Sequence, residues 1–124
     1  MLYMFLLYHD PALPAPDGIL EHHFAVAAEA RSRGQYVTSE AIGGVENATT
    51  VRVRDGNALI TDGAFAETKE VLGGFYILDC KDLDEALDYA AKIPDAWNGA
   101  VEVRPVMAVP GWEYALPGER RPFA

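Results

Sequence analysis

Two parts of the chain carry the residue types that could do chemistry, a histidine in the first predicted helix and a charged segment in the middle. His23 falls on the apolar stripe of that helix, and imidazole titrates near neutral pH. A histidine base works best when a carboxylate holds its second ring nitrogen, and Asp62, Glu67 and Glu70 are the candidates. His23 is therefore either a general acid/base in a cleft between helix and sheet or a core histidine satisfied by one carbonyl.

The side chains of the charged segment each have two possible roles. Asp62 is the most constrained carboxylate, because an Asp-Gly pair follows a predicted strand. It either orients His23 or only forms a turn by bonding nearby amides. Lys69 either holds an anionic group or is a solvated surface charge. With Glu67 or Glu70 it would shape the mouth of a site for a small polar molecule.

Metal and cofactor sites have little support in this sequence. His22 and His23 are adjacent on one helix and diverge, and Cys80 has no Cys or His nearby in sequence. Gly43-Gly44 and Gly73-Gly74 lack the spacing of a phosphate or dinucleotide loop. We therefore predict no metal and no cofactor, and we interpret Cys80 as a small buried hydrophobic residue.

Composition narrows the class of protein. The chain has 124 residues and a net charge of -9, which disfavours nucleic acid as a partner because phosphates need clustered Lys and Arg. A single cysteine excludes an internal disulfide, which fits a reducing compartment. The apolar start, Met1 to Tyr8, is too short for a membrane span or a signal sequence. We expect a cytoplasmic protein without a membrane partner.

The first helix has the clearest periodicity. Apolar positions recur at helical spacing from Ile19 to Arg33, and Gly34 follows as a C′ glycine. Asp17 is the candidate N-cap. The predicted inward stripe consists of Leu20, His23, Phe24, Ala27 and Ala30.

Most of the other patterns indicate strands. Leu2–Tyr8 is a continuous apolar run that predicts a central strand covered on both faces. Asp82 followed by Glu85 forms a capping box for a second helix over Leu83–Ile93. Pro105 predicts an edge position for the last strand. The further predicted strands are Val37–Ile42, a hairpin of Thr49–Arg54 and Ala58–Thr61 around Asp55-Gly56-Asn57, then Phe75–Asp79 and Val101–Val106.

This element order, β-α-β, a hairpin and β-α-β, predicts an α+β ferredoxin-like fold. Its antiparallel sheet would carry both helices on one face. The other face then needs a cover, and sheet-against-sheet dimerisation supplies one, so we expect a homodimer. One domain should span 1–109, with a proline- and glycine-containing tail over 110–124.

The run Thr49–Thr61 followed by Asp62–Tyr76, DGAFAETKEVLGGFY, resembles the signature of the DGPF branch of the YCII-related proteins. Leu83–Leu87 and Val101–Val106 are similar to the downstream pattern of that branch, so the resemblance covers about Met1 to Val106. It implies a ferredoxin-like fold assembled as a dimeric α/β barrel. Ala64 departs from it, since the branch has proline there.

The resemblance also implies two alternative functions. In YCII-related proteins a histidine of the first helix and a nearby aspartate line a cleft, which suggests a small-molecule enzyme, and His23 matches that histidine. The end of the first helix, Ala30 to Arg33, has no aspartate, so the pair would use Asp62. DGPF proteins are also linked with alternative sigma factors, which implies a non-catalytic ligand-binding or regulatory module with a protein partner.

Overall fold

The ferredoxin-like sheet predicted from the element order is present in the computed structural model, which describes residues 1–111. Four strands pair in the order β2-β5-β1-β6, all antiparallel, and β3 pairs with β4 in a separate hairpin. The elements are β1 Leu2–His9, α1 Ile19–Ser32, β2 Tyr36–Ala41, a 3₁₀ turn Val45–Asn47, β3 Thr49–Arg54, β4 Asn57–Asp62, β5 Val71–Asp79, α2 Leu83–Lys92, α3 Asp95–Asn98 and β6 Ala100–Pro105.

The core lies between one face of the sheet and the helices. Along β1, the side chains of Tyr3, Phe5 and Leu7 are buried, whereas the residues between them are half-buried. Their partners from the helical layer include one large side chain, Tyr89, and otherwise small or medium-sized ones, namely Val26, Ala30, Ala86, Ala90 and Ile93. The run Leu2–Tyr8 was predicted to be covered on both faces, and within one chain it is covered on the helical face alone.

Helix α1 begins and packs differently from its sequence pattern. Gly18, in a left-handed conformation, takes the N-cap position predicted for Asp17, and no side chain caps the helix. Leu20 and Phe24 are 61% and 67% exposed, although the stripe predicted them to face inward. Val26, Ala27 and Ala30 are the buried residues. The buried face is therefore rotated away from the largest apolar side chains.

The capping box of α2 is confirmed with a shift of one residue. Asp82 accepts a hydrogen bond from the Glu85 backbone N–H at 2.9 Å, as an N-cap does. The Glu85 carboxylate accepts from the Lys81 N–H at 3.0 Å instead of from Asp82. It also accepts from the Gln35 side chain, which ties the helix start to the residue before β2.

Glycines let three chain segments approach closely near one end of the sheet. The β1–β5 register shifts after Leu7, which pairs with Gly74, so that Tyr8 pairs with Leu72 and Gly73 is the extra residue of a bulge. A Cβ at Gly74 would lie 2.7 Å from the Glu40 carbonyl oxygen, and one at Gly99 would overlap the Tyr8 carbonyl oxygen. The paired glycines thus mark the bulge and close approach that such a pair predicts.

Replacing Asp82 by Ala should lower the free energy of unfolding by about 1 kcal/mol, because the Glu85 N–H loses its acceptor. The matched control is Asp84→Ala, which removes the same charge from the first turn without removing a cap and should cost about 0.3 kcal/mol. Urea denaturation of both variants measures the difference. Equal losses would show that charge, not the cap, stabilises this helix start.

Candidate active site

A cavity of about 750 Å³ lies between α1, the β2–β5 side of the sheet and the loop from Asp10 to Pro16. Asp10 begins this loop, accepting hydrogen bonds from the Ala12 and Leu13 backbone N–H groups. Asn98 of α3 donates to the Pro14 carbonyl at 2.9 Å and fixes the far part of the loop. Most of the lining is apolar, with Leu13, Pro14, Pro16, Ile19, Leu20 and Phe24 among it.

Most of the periodic stripe of α1 lines this cavity, and its last member, Ala30, packs in the core. Leu20, His23, Phe24 and Ala27 all belong to the lining, and Arg31 one turn further extends the same row. This position explains why the two large apolar side chains are exposed. Binding sites combine mainly apolar walls with a few polar groups, and the stripe has that composition.

His23 has a neighbour at each ring nitrogen. Nε2 lies 2.9 Å from Oδ1 of Asp95, and Nδ1 lies 2.6 Å from the Tyr76 hydroxyl oxygen. The imidazole and the Tyr76 ring are nearly parallel, with centroids 5.8 Å apart. His23 retains 20% of its side-chain exposure at the cavity wall. It is therefore neither fully packed in the core nor freely solvated.

Asp95 is the buried charged residue of this group, with 8% of its surface exposed. It begins α3, directly after Pro94, and its Oδ1 atom is fully buried. Within residues 1–111 this oxygen makes no hydrogen bond of good geometry, although His23 Nε2 lies 2.9 Å from it. A buried carboxylate oxygen without a hydrogen-bond partner is costly, and the imidazole is the neighbouring group that can offset this cost.

Burial raises the pKa of Tyr76 to about 12, and the negative charges of Asp95 and then Tyr36 add to this rise. The hydroxyl is therefore protonated at neutral pH. The Tyr76 hydroxyl lies within hydrogen-bond distance of Nδ1 and also donates to the His23 backbone carbonyl at 3.5 Å. Asp95, His23 and Tyr76 thus form a row of contacting polar groups that ends in the cavity lining.

The aspartate beside His23 is Asp95 and not Asp62. Asp62 ends β4, is exposed, and belongs to the hairpin that pairs with no strand of the main sheet. The Thr50 hydroxyl donates a hydrogen bond to the Gly63 carbonyl, and the Gly63 N–H donates one to the Ala48 carbonyl. These two bonds hold the segment to the hairpin. The other predicted site residues, Glu67, Lys69 and Glu70, are exposed before β5, and neither they nor Asp62 line the cavity of the single chain.

Asp95 and Tyr76 were missed because their roles depend on distant pairing. The sequence pattern assigned Pro94 only to the end of α2, although a proline also starts helices, and α3 follows it directly. Tyr76 is separated from His23 by 53 residues and looked like one more aromatic of a strand. The helical spacing from His23 through Ala27 to Arg31 could have identified Arg31 as a cavity residue.

Among residues 1–111, no three His, Cys, Asp or Glu side chains converge as metal ligands. In the same range, no helix is both long and apolar enough to cross a membrane. Cys80 is buried, as predicted, and burial raises its pKa to about 11.

The chain is similar to known proteins over most of its length. A model of the YCII-related domain matches residues 1–110. An uncharacterised protein of Rhizobium meliloti (strain 1021) is 37% identical over 114 residues, which are 86% of this chain and 92% of that protein.

Replacing Tyr76 by Phe should leave the tyrosinate absorbance of the folded protein unchanged at pH 11, because a pKa near 12 keeps this hydroxyl protonated there. The raised pKa stabilises the fold fully below pH 10, and that contribution is lost as pH rises through 12. Circular dichroism at pH 11 checks that both proteins are folded. In guanidinium at pH 11, the tyrosinate absorbance of the unfolded wild type should exceed that of the variant by the contribution of one of the six tyrosines. A deficit in the folded variant at pH 11 would contradict the raised pKa.

Proposed function

The chain belongs to the YCII-related family, and on that premise we propose that it is an enzyme that transfers a proton on a small molecule. The observation that carries this proposal is the position of His23 at the cavity wall, between the buried Asp95 carboxylate and the Tyr76 hydroxyl. A base oriented by a carboxylate is the arrangement that general acid–base catalysis needs.

The proton route follows from the occupancy of both ring nitrogens. In the proposed scheme Nε2 carries the proton that faces Asp95 and Nδ1 accepts the Tyr76 hydroxyl, so the atom that meets the substrate is the Tyr76 oxygen. When the substrate gives a proton to this oxygen, the tyrosine proton moves to Nδ1, and the imidazolium forms without a free phenolate. A phenolate would be costly here because the hydroxyl has a pKa of about 12. The reverse transfer returns the proton to the product.

Asp95 is a positioning residue in this scheme. Its carboxylate fixes the imidazole tautomer and stabilises the positive charge that forms when Nδ1 is protonated. Burial strengthens this effect, since a charge pair in a low-dielectric surrounding interacts more strongly than in water. The sequence hypothesis assigned this role to Asp62, and we now assign it to Asp95.

We further propose that this chain is a member of the DGPF branch, with Ala64 in place of its proline. We also propose that two chains associate through the open face of the sheet. The half-buried Met4, Leu6 and Phe75 lie at the centre of that face around Ile77, which is already buried in the single chain, where β1 and β5 pair. None of them belongs to the core cluster under the helices. Polar side chains follow at its margins on β2 and β6, so the face has an apolar centre and a polar rim.

The activity is tested by hydrogen–deuterium exchange at substrate carbon atoms in D₂O, followed by ¹H NMR over a panel of neutral aldehydes and ketones. A proton-transferring enzyme should exchange at least one panel member. His23→Gln should reduce that exchange about 100-fold or more, as expected for loss of a general base. Tyr76→Phe should reduce it to a similar extent.

His22→Gln is the matched control, because His22 is the exposed neighbour that contacts the edge of Trp97 and does not line the cavity. Its exchange rate should stay within about twofold of wild type. Full activity in His23→Gln would rule out the acid–base role. Binding of panel members without any exchange would favour the non-catalytic ligand-binding module. If Tyr76→Phe alone stays active, His23 itself meets the substrate.

The homodimer is tested by light scattering of Leu6→Glu. A charge at the centre of the open sheet face should reduce the mass from twice 13.5 kDa to 13.5 kDa, because a buried unpaired carboxylate opposes association. Leu87→Glu places the same charge on an exposed leucine of α2 and should leave the mass unchanged. A wild-type mass of 13.5 kDa at micromolar concentration would contradict the dimer.

A further inference from the structure

The cavity contains a second imidazole that the proton route above does not use. His9 is the last residue of β1 and belongs to the cavity lining. It follows Tyr3, Phe5 and Leu7 at every second position, so it lies on the helix-facing side of the sheet. His23 approaches the cavity from α1, whereas His9 approaches it from the sheet.

Two glycines leave the space that His9 occupies. A Cβ at Gly73 would lie 2.8 Å from Nδ1 and 3.0 Å from Cε1 of the His9 ring, so the imidazole rests against bare backbone. A Cβ at Gly99 would lie 3.2 Å from the His9 Cα. Gly73 is also the extra residue of the β1–β5 bulge. The bulge therefore makes room for this one ring.

The His9 ring is available to a ligand. His23 has Tyr76 and Asp95 at its two nitrogens, while within residues 1–111 no hydrogen bond to the His9 ring is formed. The ring is half-buried, at the open end of the lining. A polar ring in a mainly apolar wall gives direction to a ligand that would otherwise be held by apolar contact alone.

The charges around the cavity favour a neutral ligand. Arg31 is the cation of the lining, and its guanidinium lies over the Tyr36 ring at 4.2 Å. Asp10 contributes negative charge at the same cavity, and the whole chain carries a net charge of -9. An anionic substrate would be repelled by this field, whereas a neutral apolar body fits the walls.

We propose that His9 is a substrate-contacting residue and that the substrate is a neutral molecule with an apolar body and two oxygen functions. One oxygen reaches Tyr76, and the other bonds to His9. Tyr76 pairs with Phe5, four residues before His9, so the two groups are anchored about 13 Å apart along the sheet. This span calls for a body of about two fused rings. The assignment rests on the proposed function of the same cavity.

Three 2-naphthols that differ at carbon 6 provide the test, since methyl, hydroxymethyl and carboxylate groups there are apolar, polar and charged. Fluorescence titration measures the dissociation constant of each one. For the wild type, the hydroxymethyl compound should bind about fivefold more tightly than the methyl compound, the effect of one net hydrogen bond. The carboxylate should bind more weakly than the hydroxymethyl compound.

Two variants remove His9 from the site in different ways. His9→Phe replaces the polar ring by an apolar one, and Gly73→Ala displaces the ring without changing it. Both should reduce the hydroxymethyl-to-methyl preference to about one while the methyl compound still binds. His22→Phe, the matched control, makes the same change outside the cavity and should keep the fivefold preference.

The outcomes separate this inference from the proposed function. A preference that survives in His9→Phe, or tightest binding by the carboxylate, overturns the role of His9 or the neutral substrate class. Absence of binding by all three compounds overturns the two-ring substrate class. None of these results alters the loss of carbon-bound deuterium exchange in His23→Gln, which decides the proton-transfer function independently.

Discussion

The contact between His23 and the buried carboxylate of Asp95 constrains the rest of this structure. Asp95 Oδ1 is fully buried, and a buried carboxylate oxygen without a hydrogen-bond partner is costly. The contact therefore holds α1 close to α3, the short helix that Asp95 begins. Asn98 then reaches Pro14, so the same short helix also positions the loop over the cavity.

The cavity limits how much α1 can contribute to the core. This helix buries Val26, Ala27 and Ala30, which are small, and directs Leu20 and Phe24 to the cavity lining. Full burial of a leucine or phenylalanine is worth about 1.5–3 kcal/mol, so the exposed pair represents stability that the isolated chain does not gain. A ligand with an apolar body would recover part of it. Binding and stability are thus coupled through one helix face.

Local patterns predicted the fold well because each of them acts over a few residues. The Asp82–Glu85 cap, the positive φ angles at Asp55 and Gly56 of the hairpin turn, and Pro105 on the edge strand β6 all depend on neighbouring residues. Helical periodicity also identified the side of α1 that carries His23. It did not distinguish a stripe that faces a cavity from one that fills a core, because both require apolar residues at the same spacing.

The partners of His23 were not predictable because sheet pairing and helix packing bring them together over long sequence distances. Asp62 follows a strand and precedes a glycine, which is the pattern of a constrained carboxylate, yet the hairpin holds it away from α1. Asp95 follows a proline that ends one helix and starts the next, so its local pattern describes only a turn. The register of β1 with β5, including the extra residue at Gly73, then decides which side chains share the cavity. A one-residue change in that register would turn either His9 or Tyr76 to the opposite face, because strand side chains alternate.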